Sequence, residues 1–96
     1  MWIEVVGEEE SSNTQARTYA EYKMFAALAQ HTQRVRSARV VLQRSQESGR
    51  CDSVACAVTV VLEPSGLVRT HARGPHAYAA INRTAERLGD LMRRAA

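Results

Sequence analysis

The stretch VACAVTVVLEPSGLVRTHAR, residues 54–73, decides the fold. Its first half, VACAVTVVLE (54–63), is dense in β-branched residues and is the strongest strand in the chain. EPSG (63–66) then sets Pro64 and Gly66 where tight-turn geometry favours them. LVRTHAR (67–73) returns as the partner strand. Side chains alternate across a strand, so the pattern assigns two faces. Cys56, Val58, Val60 and Leu62 share one face, and Ala57, Thr59 and Val61 the other. If Val68, Thr70 and Ala72 join the apolar face, Arg69, His71 and Arg73 form a basic row on the opposite one. A slip of one residue would bury two arginines, which costs far more than it returns.

Outward from this hairpin, SARVVLQR (37–44) is a further strand that buries Val40 and Leu42 and exposes Arg39, Val41 and Gln43. The polar SQESGRCDS (45–53) is the loop between them. WIEVV (2–6) is a first strand stopped by Gly7, and EEESSN (8–13) is a polar loop. Asn13 or Thr14 can cap a helix through QARTYAEYKMFAALAQHTQ (15–33). On it Ala20, Met24, Ala27, Leu28 and His31 share a face, with Ala16 and Tyr19 near it. Tyr22 and Phe25 lie off that stripe and read as packing at the edge of the core. The closing RGPHAYAAINRTAERLGDLMRRAA (73–96) is a helix with Pro75 at or near its first turn, where a missing N–H costs nothing. Its apolar stripe is Ala77, Ile81, Ala85, Leu88, Met92 and Ala95.

The expected fold class is therefore α+β, in the order β-α-β-β-β-α, over one domain at residues 1–96. The strand–helix–strand crossover makes the first two strands parallel. Short connections make the last three an antiparallel meander, so the four-stranded sheet is mixed. Both helices must cover one face to bury their stripes, leaving the other face open.

Composition limits the function. No apolar run approaches the roughly eighteen residues of a membrane span. MWIEVVGEEE (1–10) has neither the positive flank nor the apolar length of a signal peptide. A cytoplasmic chain with reduced cysteines and no membrane partner is the expectation. The formal charge is +3, and twelve of thirteen basic residues are arginine, which suits an anionic partner. Each arginine taken singly reads as a solvated surface residue; it is their clustering that points to a polyanion. Cys51, Cys56, His71 and His76 approximate zinc-ligand spacing, but Gly74 and Pro75 keep the histidines off a shared helix turn. Cys56 belongs to the core face and His71 to the open one, so no metal is expected. No glycine-rich phosphate loop and no nucleophile with an adjacent base is present, so no catalytic residue, cofactor or small-molecule substrate is expected either. Glu8–Glu10 reads as a solvated acidic run.

VRSARVVL (35–42), CAVTVVL (56–62) and AYAAINRTAERL (77–88) resemble the matching segments of the ribosome hibernation-promoting factors, also called ribosome-associated inhibitors or sigma-54 modulation proteins. TQARTYAEYK (14–23) resembles their first helix more loosely. The Tyr-Ala-Ala-Ile run at Tyr78–Ile81, followed by Arg87 and Leu88, is the most specific part. The resemblance implies the same β-α-β-β-β-α fold. It also implies a non-enzymatic protein that binds the small ribosomal subunit near the decoding region, where messenger and transfer RNA pass. Such proteins inhibit translation under stress or in stationary phase and promote inactive ribosome dimers. A chain ending at Ala96 is similar to the short members, which act beside a separate ribosome modulation factor.

The resemblance maps basic positions of the family's closing helix onto Arg87, with Arg83, Arg93 and Arg94 nearby, and a basic position of the first helix onto Lys23. Arg39, Arg69 and Arg73 are added by the face assignment alone. Two departures stand out: Asn82 replaces the family's usual Asp, and EEESSN (8–13) would repel RNA. A paralogue with another RNA target, a protein–protein adaptor using the open sheet face or an edge strand, and a small hydrolase are the competing readings.

Overall fold

A computed structural model describes residues 1–7, 14–45 and 53–95. The expectations for residues 8–13 and 46–52, Cys51 among them, lie outside the described residues. The elements are β1 (Trp2–Gly7), α1 (Thr14–Leu28), a short 3-10 turn (Ala29–His31), β2 (Val35–Ser45), β3 (Ser53–Leu62), β4 (Leu67–Gly74) and α2 (Ala77–Ala95). They form one four-stranded sheet in the order β1-β2-β3-β4. β1 pairs parallel to β2, and the β2–β3 and β3–β4 pairs are antiparallel. The fold is thus the expected α+β arrangement, with both helices on one face.

The core lies between that face and the helices. β2 and β3 contribute Val40, Leu42, Cys56, Val58 and Val60, all essentially inaccessible. α1 closes over them with Ala16, Ala20, Met24 and Leu28, and α2 with Ala80, Ile81, Ala85, Leu88 and Met92. Each large side chain so buried stabilises the fold by about 1.5–3 kcal/mol. Ala77 packs against this core half-buried. Thr84 joins the α2 stripe although periodicity among apolar residues does not mark it. Its buried hydroxyl Oγ1 contacts the carbonyl oxygens of Ala80 (2.8 Å) and Cys56 (3.1 Å), tying α2 to β3.

β2 begins two residues earlier than its alternation foretells. Val35 and Ala38 are both buried although they are three apart. The register explains this: Val35 faces Leu62 and Ser37 faces Val61, so Arg36 is an extra residue on the β2 side. Such a bulge resets the alternation and lets both side chains reach the core. The EPSG segment turns as expected, with Gly66 at φ 117° in the region that glycine alone enters freely.

Tyr22 and Phe25 correct the sequence reading. They pack more loosely than a core edge, standing 66% and 54% exposed while lining a shallow cleft with Met1 and Ile3. The α1–α2 contact is made by Tyr19 instead. Its ring lies edge-on to Tyr78 at 5.0 Å, and its hydroxyl donates to Asn82 Oδ1 at 2.6 Å. Asn82 therefore has a structural partner in this chain.

Candidate nucleic-acid interface

The face of the sheet away from the helices is set by register. Glu4, Arg39, Thr59 and Arg69 form one transverse row. Val6, Val41, Ala57 and His71 form the next, and Gln43, Ala55 and Arg73 the one beyond. Arg39, Arg69, His71 and Arg73 are all exposed, as the alternation required. Arg39 stands two strands from Arg69, about 10 Å away across small Thr59. Glu4 sits beside Arg39 and tempers the β1 side of the face. The charge is therefore concentrated along β4.

α2 adds to that concentration. Arg83 donates from Nη1 to the carbonyl oxygen of Arg73 at 2.7 Å, and Arg87 from Nη1 to that of His71 at 2.6 Å. Both carbonyls belong to β4, an edge strand of the sheet. Arg94 shares a shallow cleft with Leu67, Val68, Arg69 and Leu91. The row on β4 (Arg69, His71, Arg73) thus runs beside a row on α2 (Arg94, Arg87, Arg83). The two basic surfaces that the sequence presents separately meet along one edge of the molecule. Their guanidinium groups can pair with phosphates and stack on exposed bases.

Two of the candidate residues stand elsewhere. Lys23, half-buried, and Arg93 line the groove between α1 and α2, with Glu86 and Asp90 in the same wall. Arg93 forms an ion pair with Asp90, three residues before it. This groove lies in the helix layer, on the other side of the molecule from the open face.

The sequence reading left Trp2 unassigned. It is 69% exposed, and its register places it on the open face beside Ser37, with Val61 and Leu67 completing that row. The alternation of WIEVV carried this signal, since Trp2, Glu4 and Val6 fall on one side. An exposed indole one row from Arg39 is a surface on which an unpaired base can stack.

Of the zinc-spaced residues, Cys56 is buried in the core and His71 is exposed on the opposite face. Burial pushes the Cys56 thiol up from its ordinary range, and the hydrogen bond with Thr84 offsets part of that. His76 caps α2, its Nδ1 accepting from the Ala79 N–H at 3.2 Å. Pro75 lies one residue before that cap, near the first turn as expected. No helix of the described residues is long and apolar enough to cross a membrane.

Residues 3–96 match the family described as Sigma 54 modulation protein / S30EA ribosomal protein. Among solved structures, the chain is similar to the Protein Y N-terminal domain of Thermus thermophilus, with 28% identity and a TM-score of 0.78 over 100% of both chains. It also resembles in fold a ribosomal subunit interface protein from Coxiella burnetii. There the identity is 13% and the TM-score 0.80, over 99% of this chain and 97% of that one. No curated protein gives a significant match.

Proposed function

The chain belongs to the Sigma 54 modulation protein / S30EA ribosomal protein family, and from that premise we propose that it binds the small ribosomal subunit and occupies the path of messenger and transfer RNA. It thereby inhibits translation under stress or in stationary phase. The observation that carries this reading is the paired basic row on β4 and α2. Ribosomal RNA is a dense polyanion with irregular grooves, and arginine forks suit both its phosphates and its unstacked bases. Arg39, Arg69, Arg73, Arg83, Arg87 and Arg94 make the proposed contact, with Trp2 available for stacking.

The mechanism needs no bond to be made or broken. A compact basic domain seated in an RNA channel excludes the substrates by volume. Long-range attraction speeds its arrival, and counterion release drives its binding. Joint action with a separate ribosome modulation factor and a cytoplasmic location belong to the same proposal.

Co-sedimentation with purified small subunits is the direct test. Binding that weakens steeply with added salt is expected. Flat salt dependence, or no co-sedimentation, would sink the proposal. An adaptor working through the open face or an edge strand would instead keep its partner when Arg69, Arg73, Arg83 and Arg87 become alanine.

A further inference from the structure

We infer that Arg83 and Arg87 are phosphate forks held ready by the edge of β4, set to grip two successive phosphodiesters of one RNA strand. The inference rests on the RNA-binding reading above and names the feature of the RNA that this edge recognises. Arg83 and Arg87 are four apart on α2, an advance of about 6.0 Å. The carbonyls they hold, on Arg73 and His71, are two apart on β4, a step of about 6.8 Å. The helix and strand repeats therefore match, and each guanidinium finds its own outward-facing carbonyl. Successive phosphates along a nucleic-acid strand repeat on the same scale.

Each bond to a carbonyl uses only Nη1. The side-on pair, Nε–H and Nη2–H, takes no part in these bonds, and this is the pair that meets two phosphate oxygens at once. Among the described residues neither guanidinium meets a carboxylate, whereas Arg93 of the same helix is paired with Asp90. An arginine already held by the protein gives up less freedom on binding than one free in solvent. Lysine at either position would keep the charge and lose the fork.

The test compares wild type with the Arg83→Lys/Arg87→Lys double variant and with Arg93→Lys as the same exchange on the same helix, at an arginine outside the proposed contact. Binding is measured on purified small subunits and on fluorescein-labelled oligouridylate, across a salt series. The double variant should bind both probes about tenfold more weakly with an unchanged salt slope, since no charge is lost. Arg93→Lys should stay within about twofold of wild type. Equal affinity of the double variant, or a salt slope that falls with its affinity, would overturn the inference while leaving the ribosome proposal standing. Conversely, wild type that fails on subunits while the double variant still weakens on oligouridylate keeps the inference and removes the ribosome. The Arg83 and Arg87 Nε–H resonances give a readout on the wild-type fold itself. They should shift and gain exchange protection with oligouridylate, and unmoved resonances would also overturn the inference.

Discussion

Gly74 ends β4 and sits directly beneath the start of α2. A Cβ built there would lie 2.7 Å from the Ala80 backbone nitrogen and 2.8 Å from the Ala79 Cβ. Neither atom is the mobile end of a flexible side chain, so the strand and helix would have to part. Gly74→Ala should therefore cost about 2 kcal/mol, seen as a fall in melting temperature of about 10 °C. An unchanged melting curve would mean that the β4–α2 junction is looser than its spacing. Cys56 makes a second case in which packing governs chemistry. Its thiol is buried against Thr84 and its pKa is raised by that burial. The folded state therefore holds the proton more tightly than the unfolded state. This contribution is fully present below the unfolded thiol's value of about 8.5 and is lost as pH rises through the folded value. Chemical denaturation at neutral and alkaline pH should show that loss, and Cys56→Ala should flatten it. On a Cys51→Ser background, a thiol reagent should label Cys56 only at the rate of unfolding.

At the scale of elements, α2 carries both the core and the proposed contact, and its start is set by His76. The His76 Nδ1 satisfies the Ala79 N–H, one of the donors that a helix N-terminus leaves without an intrahelical partner. His76→Ala should cost about 1 kcal/mol in chemical denaturation, whereas His76→Ser should be close to neutral because serine caps well. The element pattern was legible in the sequence where periodicity is strict. The hairpin of β3 and β4 and the stripe Ile81, Ala85, Leu88 and Met92 stand where alternation and helical spacing put them. It was illegible where the pattern breaks or where a polar group is buried. The extra residue at Arg36 resets β2, and no single strand shows its own bulge because a bulge is defined against the partner. Thr84 reads as a polar helix residue until β3 supplies the Cys56 carbonyl. Arg83 and Arg87 share a helix side by spacing, but only the packing of α2 against β4 reveals which carbonyls they hold. Tyr22 and Phe25 lie off the stripe of Ala16, Ala20 and Met24 by which α1 meets the sheet, and spacing alone does not tell how far such off-stripe rings reach back toward the core.

On the scale of the whole molecule, charge is sorted by side. The β4 edge gathers Arg69, Arg73, Arg83, Arg87 and Arg94, while Lys23 and Arg93 share the α1–α2 groove with Glu86 and Asp90. Formal charge alone treats all seven alike. A polyanion does not, because only contacts that displace condensed counterions set the salt dependence of binding. A cation already neutralised by a carboxylate displaces few of the counterions condensed on the RNA, so Arg93 contributes little to that slope. Alanine at Arg69, Arg73, Arg83 or Arg87 should therefore each lower the slope of log affinity against log salt on small subunits by about 0.7–0.9. Lys23→Ala and Arg93→Ala should leave it within error, although each removes the same formal charge. Isothermal titration or filter binding across a salt series separates the two groups. A uniform decrease across all six variants would show that the ribosome senses net charge and that the sorted surface is incidental. A decrease confined to Lys23 and Arg93 would turn the molecule over, with the helix layer against RNA and the open sheet face toward solvent or a protein. The β4 edge accounts for the contact only if the slope follows position on the fold.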